Sequence, residues 1–345
     1  MLKRLKISSG FFCLFILICG SIVGGFFVWN GIYSSKLLIS QKQESFSIES
    51  GEGVLVISSK LEKSGFIENK RFFQIYALLT GSYKKFKPGT YLLNNAMNIP
   101  EIVSKFTDQD ILQASVTIPE GFTIKQIEER VNHNIAEITE FEAKKIDIQN
   151  EKVGDYKEDY AFLNDSPDLL SLEGFIFPDT YLLEPNISKE EIVRIFLDNT
   201  NRKLTDEIKT NISDQGKTIF EIITMASLLE KEVRTLTDKK AVSAILWKRL
   251  ENDMPLQVDA TIVFITGQKT SNVSIQQTQI DSPYNTYLNK GLPKGPICNP
   301  GIDSIIAATY PQENNFWFYL SAQEGQTIYS ETFEKHILAK ERYLK

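Results

Sequence analysis

Apolar residues recur every three or four positions along much of this chain, and the segment from Thr218 to Val233 shows the pattern most plainly. Thr218 and Glu221 form a capping box, which predicts a helix start at that point. At about 100° per residue, Ile219, Ile222, Ile223, Ala226, Leu229 and Val233 fall on one face. Glu230 lies among them, whereas Glu232 turns away from the stripe. A carboxyl held on an apolar face loses solvation in its charged form, so it is expected to keep its proton near neutral pH and serve as a general acid. The alternative is that Glu230 reaches solvent along its stem, or pairs with Lys231 or Arg234. Taken alone, the helix favours that alternative.

A different pattern opens the chain. Phe11 to Trp29 carries no charge and is long enough to cross a bilayer. Lys3, Arg4 and Lys6 precede it, which puts the N-terminus in the cytoplasm and everything from about Lys36 onward outside the plasma membrane. A cleaved signal peptide would want a shorter apolar core and a small-residue site, yet no alanine precedes Ala77. Acylation at Cys19 is disfavoured by the bulky Ile18, so an uncleaved anchor is expected, with Gly20 and Gly24 as a weak helix-pairing motif.

Beyond the anchor, Ser45 to Glu49 alternates like a strand, and Gly53 to Lys63 and Asn69 to Leu79 read as short helices. Pro88-Gly89 then turns into a strand at Thr90 to Leu93. Strand, helix, helix, strand in so short a span resembles the LysM fold, with a generic α+β spacer as the alternative. A second strand–helix start follows at Ala114 to Val131, with Thr123 as the cap. The stretch 137–167 is polar and reads as a solvated face. A helix from about Asp238 to Glu251 should bury Val242, Ile245, Leu246 and Leu250. Asn315 to Ser321 and Gln326 to Ser330 flank a glycine-containing turn, a hairpin signal.

Composition narrows the chemistry. The chain has 345 residues, 42% of them hydrophobic, enough for two domains and a sizeable core. A net charge of −6 shows no basic excess, which argues against nucleic acid as a partner. His133 and His336 are the only histidines, and the three cysteines are far apart, so no metal-ligand spacing or Ser-His-Asp arrangement can be assembled. No metal and no cofactor is expected. Cys13 and Cys19 lie in the apolar segment, leaving Cys298 alone outside it.

Four further segments are too polar or too conformationally specified to be plain core. They are Leu172 to Tyr181, Leu256 to Thr261, Asp281 to Tyr287, and the proline- and glycine-rich loop Gly291 to Gly301. Amides, hydroxyls and carboxylates beside aromatic rings suit a sugar, which needs hydrogen bonds at its rim and flat apolar surface on its faces.

Together with Met225 to Glu232, these segments resemble the MltG (YceG-like) family of endolytic murein transglycosylases. The matches are Leu-Glu-Gly-x-x-Phe-Pro-Asp-Thr-Tyr at 172–181, Ser-Pro-Tyr-Asn-Thr-Tyr at 282–287 and Gly-Pro-Ile-Cys-Asn-Pro-Gly at 295–301, with Tyr329 to His336 as a looser fourth. Ala260 stands where a proline is usual, and Lys294 interrupts the usual Pro-Pro. The resemblance implies an α+β fold: a single N-terminal transmembrane helix (11–32, after a cytoplasmic tail 1–10), a small LysM-like βααβ module with linker (33–112) and a larger mixed α+β catalytic domain (113–345). It implies cleavage of the β-1,4 bond between N-acetylmuramic acid and N-acetylglucosamine in nascent glycan strands, giving 1,6-anhydro ends. Glu230 matches the catalytic glutamate. Glu173, Asp179 and Asp259 are candidate supporting carboxylates, and Gln257, Tyr284, Asn285, Thr286 and Asn299 candidate sugar contacts. Peptidoglycan strands, peptidoglycan synthases such as penicillin-binding proteins, and the membrane are the expected partners. A muramidase-type hydrolase and a non-catalytic glycan-binding scaffold are the rival readings.

Overall fold

The structure is a computed structural model that describes residues 9–34, 43–108, 110–139, 145–268, 273–322 and 325–343; the side chains of 9–14 and 16 lie outside that description. It divides into two compact units. The first comprises Met1–Ala114, Ile135–Ala143 and Glu184–Asn186, and the second Ser115–Asn134, Lys144–Leu183 and Ile187–Lys345.

In the first unit, helix α1 (Ser9–Tyr33) precedes strand β1 (Gln43–Ile48), helices α2 (Val54–Lys63) and α3 (Lys70–Thr80), strand β2 (Gly89–Asn94) and helix α4 (Ile99–Thr107). β1 and β2 pair antiparallel with Phe46 opposite Tyr91, so alternate residues of both strands reach one core. That core is aromatic: Phe46, Phe73 and Tyr91 gather around Phe106 of α4. Asn69 caps α3 through the Arg71 N–H, and Gly81 ends it in the left-handed conformation that costs glycine least. The strand–helix–helix–strand order expected from the pattern is therefore present; α4, which supplies Phe106, is an addition to it. The tail expected at 1–10 falls largely outside the described residues. Among those residues, no helix is long and apolar enough to cross a membrane.

The second unit takes β3 (Ala114–Thr117) from Ser115 on, α5 (Ile124–Ile138) as far as Asn134, β4 (Thr180–Leu183), α6 (Lys189–Lys203), α7 (Asp206–Asp214), α8 (Ile219–Glu232), α9 (Leu236–Glu251), α10 (Asp259–Thr266), α11 (Ile302–Thr309), β5 (Phe318–Ser321), β6 (Thr327–Ser330) and α12 (Phe333–Tyr343). β3 pairs with β4, and β5 with β6 as an antiparallel hairpin with Tyr319 opposite Tyr329. The whole is a mixed α+β fold with small sheets around helices. Its centre is α8, which packs against α7, α9, α10 and α11. The capping box is formed: the Thr218 hydroxyl accepts from Glu221 N at 3.1 Å, and the Glu221 carboxylate accepts from Thr218 N at 2.8 Å. One expectation is corrected here. All eight residues from Ile222 to Leu229 are buried, including Thr224, Met225, Ser227 and Leu228 off the supposed stripe. Four helical neighbours cover α8 all round, so it is a central helix and not a one-faced amphipathic one.

Candidate active site

Glu230 sits on the last turn of α8, where the fully buried stretch of the helix ends. The side chain is 9% exposed, and its surroundings are polar. Lys239 on α9 reaches Oε2 with its Nζ at 3.2 Å. Ser304 donates its hydroxyl to the same oxygen at 2.6 Å, and the Gly301 N–H donates at 3.0 Å. Gly301 and Ser304 form the start of α11, where free backbone N–H groups and the helix dipole favour an anion. The partner is therefore Lys239, not Lys231 or Arg234, and the greasy surroundings expected for Glu230 are replaced by three converging donors. Lys239 is nine positions along and beyond a helix break, outside the reach of a helical wheel.

All three donors go to Oε2, and Oε1 takes none of them. The geometry thus makes Oε2 the anchored oxygen of Glu230.

Two loops hold this arrangement in place. Gly295 to Gly301 is tied to α8 by Ile297 N donating to the Ser227 hydroxyl at 3.1 Å. It also pairs with the turn Pro119 to Phe122: Gly121 N donates to Asn299 O at 2.8 Å, and Asn299 N to Phe122 O at 2.9 Å. Gly121 has φ +76°, and a Cβ there would stand 3.2 Å from Lys231 Nζ and 3.5 Å from Glu230 Cγ. Glu120, next to it, lies flat against Gly301, so that a Cβ on Gly301 would come within 2.0 Å of Glu120 Oε1. Burial, and next the charge of Glu230, push the Glu120 carboxyl up, with Lys239 opposing and Asp303 adding to the rise. Glu120 is the member of the site that sequence reasoning missed. Its signal was a carboxylate in the Pro-Glu-Gly turn, invisible as a partner until the fold brought the turn to α11.

Several sequence candidates are structural instead. Asn299 is fully buried and satisfied: its side chain accepts from Ile176 N at 2.8 Å and donates to Phe122 O and Glu173 Oε1, both at 2.9 Å. Glu173 accepts from Ile124 N at 3.0 Å and so caps the first turn of α5. Burial pushes its carboxyl up to about 8, against the opposing pull of the Ile124 N–H, Lys231, the Gly174 N–H and Asn299. Asn285, fully buried, donates to Thr278 O and Ile280 O and accepts from Tyr287 N. Thr286, 1% exposed, accepts from Val258 N. The proposed sugar contacts at 285, 286 and 299 are corrected: their polar atoms face protein, and they pin loops. Asp179 also serves the fold, accepting from Thr180 N, Asn199 and Lys203. Burial alone would raise its carboxyl, but those three donors hold it below its usual range. His336 is buried and stacked on Phe318 at 5.2 Å, and burial lowers it to about 4.

A second polar cluster lies around Glu232. Its carboxylate accepts from the Tyr319 hydroxyl at 3.0 Å, and burial, with Asp259 adding to it, pushes the carboxyl up to about 7 against Tyr319 and the Ala260 N–H. Glu232 therefore does not turn out to solvent as its position relative to the stripe implied. Asp259, at the start of α10, is exposed and accepts from the Tyr287 hydroxyl. Gln257 is also exposed and has φ +53°, a left-handed conformation that non-glycine residues seldom adopt. Tyr284 is half-buried and packs on Phe264 at 5.0 Å. Of the sequence-named polar groups, Gln257, Asp259, Tyr284 and part of Asp179 keep surface available to a ligand.

Comparison with known proteins agrees with this architecture. The YceG-like family profile matches residues 46–342. An endolytic murein transglycosylase of Bacillus subtilis is 30% identical, the alignment covering 94% of this chain and 91% of that protein. One from Streptococcus pneumoniae is 31% identical over 91% of this chain, which spans 61% of that longer protein. A crystal structure of a yceG-like protein from Listeria monocytogenes superposes with a TM-score of 0.59 at 30% identity, covering 87% of this chain and 100% of that one. With its profile match running from the first strand to the last helix, this chain belongs to the YceG-like family.

Proposed function

We infer that this chain is an endolytic murein transglycosylase, a lyase that cuts the β-1,4 bond from N-acetylmuramic acid to N-acetylglucosamine within glycan strands. The observation that carries the reading is the one-sided anchoring of Glu230: three donors on Oε2, with Oε1 left to act. Protonated at Oε1, Glu230 donates to the departing glycosidic oxygen as the C1–O bond breaks and positive charge builds on the ring. Its carboxylate then takes the proton of the muramic acid C6 hydroxyl as that oxygen bonds to C1. The proton is returned to Glu230, no water is consumed, and the product is a 1,6-anhydro end. A nucleophile carried by the substrate is held at high effective concentration, so one carboxyl can serve both steps. Gln257, Asp259 and Tyr284 are the sugar-facing groups in this reading.

The membrane anchor belongs to the same proposal. It is supported by the uncharged stretch Phe11 to Trp29, preceded by Lys3, Arg4 and Lys6, and by the large exposed apolar side chains Phe15, Leu17, Ile18, Ile22, Val23, Phe26, Phe27 and Trp29. The N-terminus would then be cytoplasmic, with the catalytic unit on the outer side of the plasma membrane, acting on nascent strands beside their synthases. A glycan-holding, LysM-like role for the first unit rests on its strand–helix–helix–strand order.

The test is mass spectrometry of the products made by the full-length protein from uncrosslinked glycan. Anhydro ends that disappear in Glu230→Gln are expected. Reducing ends, with Asp259→Asn as damaging as Glu230→Gln, would mean a hydrolase. Binding without turnover would mean a scaffold.

A further inference from the structure

Several buried hydroxyls of the second unit return to a carbonyl three or four positions back. Ser227 donates to Thr224 O, Thr261 to Val258 O and Thr309 to Ile305 O. Ser304 does something else. It is fully buried, and it donates at 2.6 Å to the Glu230 carboxylate on a different helix. Its place in α11 explains the difference. Gly301 is the N-cap, so Ser304 is the third helical residue and has no earlier turn of helix behind it.

That third position is where a capping box places a Glu or Gln, whose side chain reaches back to the N-cap N–H. Helix α8 follows the rule within itself, Glu221 accepting from Thr218 N. In α11 the third residue is a serine, too short to reach back, and Gly301 has no side chain to cap with. The Gly301 N–H finds its acceptor on Glu230 instead, at 3.0 Å. Glu230 of α8 is therefore the capping acid of α11, supplied by a neighbouring helix. Of the two side chains on Oε2, Ser304 makes the shorter contact from the stiffer stem. Lys239 Nζ stands at 3.2 Å on a flexible four-carbon chain, a point charge that does little to set the angle of a carboxyl. Ser304 Oγ is held next to its backbone, on a turn of α11 packed against α8 and α9.

We propose that Ser304 is a positioning residue for strand cleavage: its hydroxyl and the Gly301 N–H seat the Glu230 carboxyl against the start of α11, fixing the direction from which Glu230 meets the scissile bond. The proposal rests on the transglycosylase reading of Glu230. The seat is built from buried groups of the fold, so it is in place before any glycan arrives. Ser304 is itself out of reach of a glycan and acts only through the aim of Glu230.

The experiment measures strand cleavage by the full-length protein on uncrosslinked glycan, counting anhydro ends for wild type, Ser304→Ala, Ser304→Thr and Ser243→Ala, with melting temperatures on the same proteins. In Ser304→Ala kcat should fall by about tenfold to a hundredfold, the scale of a misdirected catalytic group, and KM should stay within about twofold. Ser304→Thr keeps the hydroxyl and should recover most of kcat. Ser243 on α9 is the control: it is as buried as Ser304, and its hydroxyl meets no partner among the described residues. Ser243→Ala should cleave at the wild-type rate. Where melting shows that the added methyl of Ser304→Thr is not tolerated, the split between kcat and KM in Ser304→Ala decides. A wild-type kcat in Ser304→Ala would overturn the proposal. So would a raised KM at unchanged kcat, which marks a glycan contact, or a loss that Ser243→Ala shares, which marks core packing. Failure of the underlying reading looks different: wild type itself would then release no anhydro ends, and the present inference would fall with it.

Discussion

Glu230 and Glu232 stand two residues apart at the end of one helix and inhabit opposite surroundings. Glu230 is met by a lysine, a serine and a backbone N–H, all on one oxygen, with Glu120 across Gly301. Glu232 meets the Tyr319 hydroxyl and the field of Asp259, and burial raises it to about 7. Desolvation alone would name Glu232 the stored acid. Directed hydrogen bonding sets Glu230 apart, because three donors converge on one of its oxygens. A general acid needs a proton and an aim, and the role proposed for Glu230 rests on the second.

Substitution at each glutamate separates them most sharply. Glu230→Gln should lower kcat for strand cleavage by a factor of about 10² to 10⁴, the usual contribution of a general acid. Glu232→Gln should leave kcat within about tenfold, since glutamine can still accept from Tyr319. Product counting by mass spectrometry reads both. The reverse ranking would transfer the role to Glu232 and make the three donors on Glu230 a structural knot.

The Lys239 contact can be broken from its other side. Lys239→Met leaves Glu230 buried beside Glu120 without its cation, and removing one partner of a buried pair typically costs about 3 to 5 kcal/mol. Urea unfolding of the variant at neutral pH gives the number. A cost below about 1 kcal/mol would place the pair in effective solvent, contrary to the 4% and 9% side-chain exposure seen here.

What the sequence revealed about these two residues follows a physical line. Local signals were legible: the Thr218–Glu221 capping box, the β1–β2 strands and the β5–β6 hairpin each depend on residues close in the chain. Glu230 was singled out, but for a reason the structure replaces. A helical wheel sees one helix; it has no knowledge of α7, α9, α10 and α11 packing around α8, nor of Lys239 and Glu120 arriving from elsewhere. The polar loops were rightly separated from plain core, yet Asn285, Thr286 and Asn299 turned inward. A buried amide that satisfies backbone groups and an exposed one that waits for a sugar have the same letter in a sequence. Nor could any local pattern show that Ile135–Ala143 and Glu184–Asn186 group with the first unit.

Glu173 offers a quieter contrast with Glu230, since it is a raised carboxyl whose donors serve only the fold. Glu173→Ala would strand the Ile124 N–H and one amide hydrogen of Asn299, at a cost of about 1 to 3 kcal/mol for a lost partner. Glu173→Gln should be much milder, because an amide oxygen can still accept from Ile124. Thermal unfolding distinguishes them. Equal losses in the two variants would show that the charge of Glu173, and not its acceptor geometry, holds the start of α5.

The smallest expected effect concerns pH and stability at Glu232. Its folded carboxyl is raised to about 7, above an unfolded value near about 4.3, so folding favours the protonated form. The stabilisation from this group is complete below the unfolded value and is lost as pH rises through about 7. Glu232→Gln has no proton to lose there. Its melting temperature should therefore gain on wild type by a few degrees between about pH 5 and about pH 8, where roughly 2 to 4 °C corresponds to 1 kcal/mol in a domain of this size. Glu230→Gln supplies the matched control from the other face of the same helix. A Glu232→Gln difference that stays flat with pH would mean the Tyr319 hydroxyl suffices to keep Glu232 ionised, and desolvation would then separate the two glutamates far less than directed donors do.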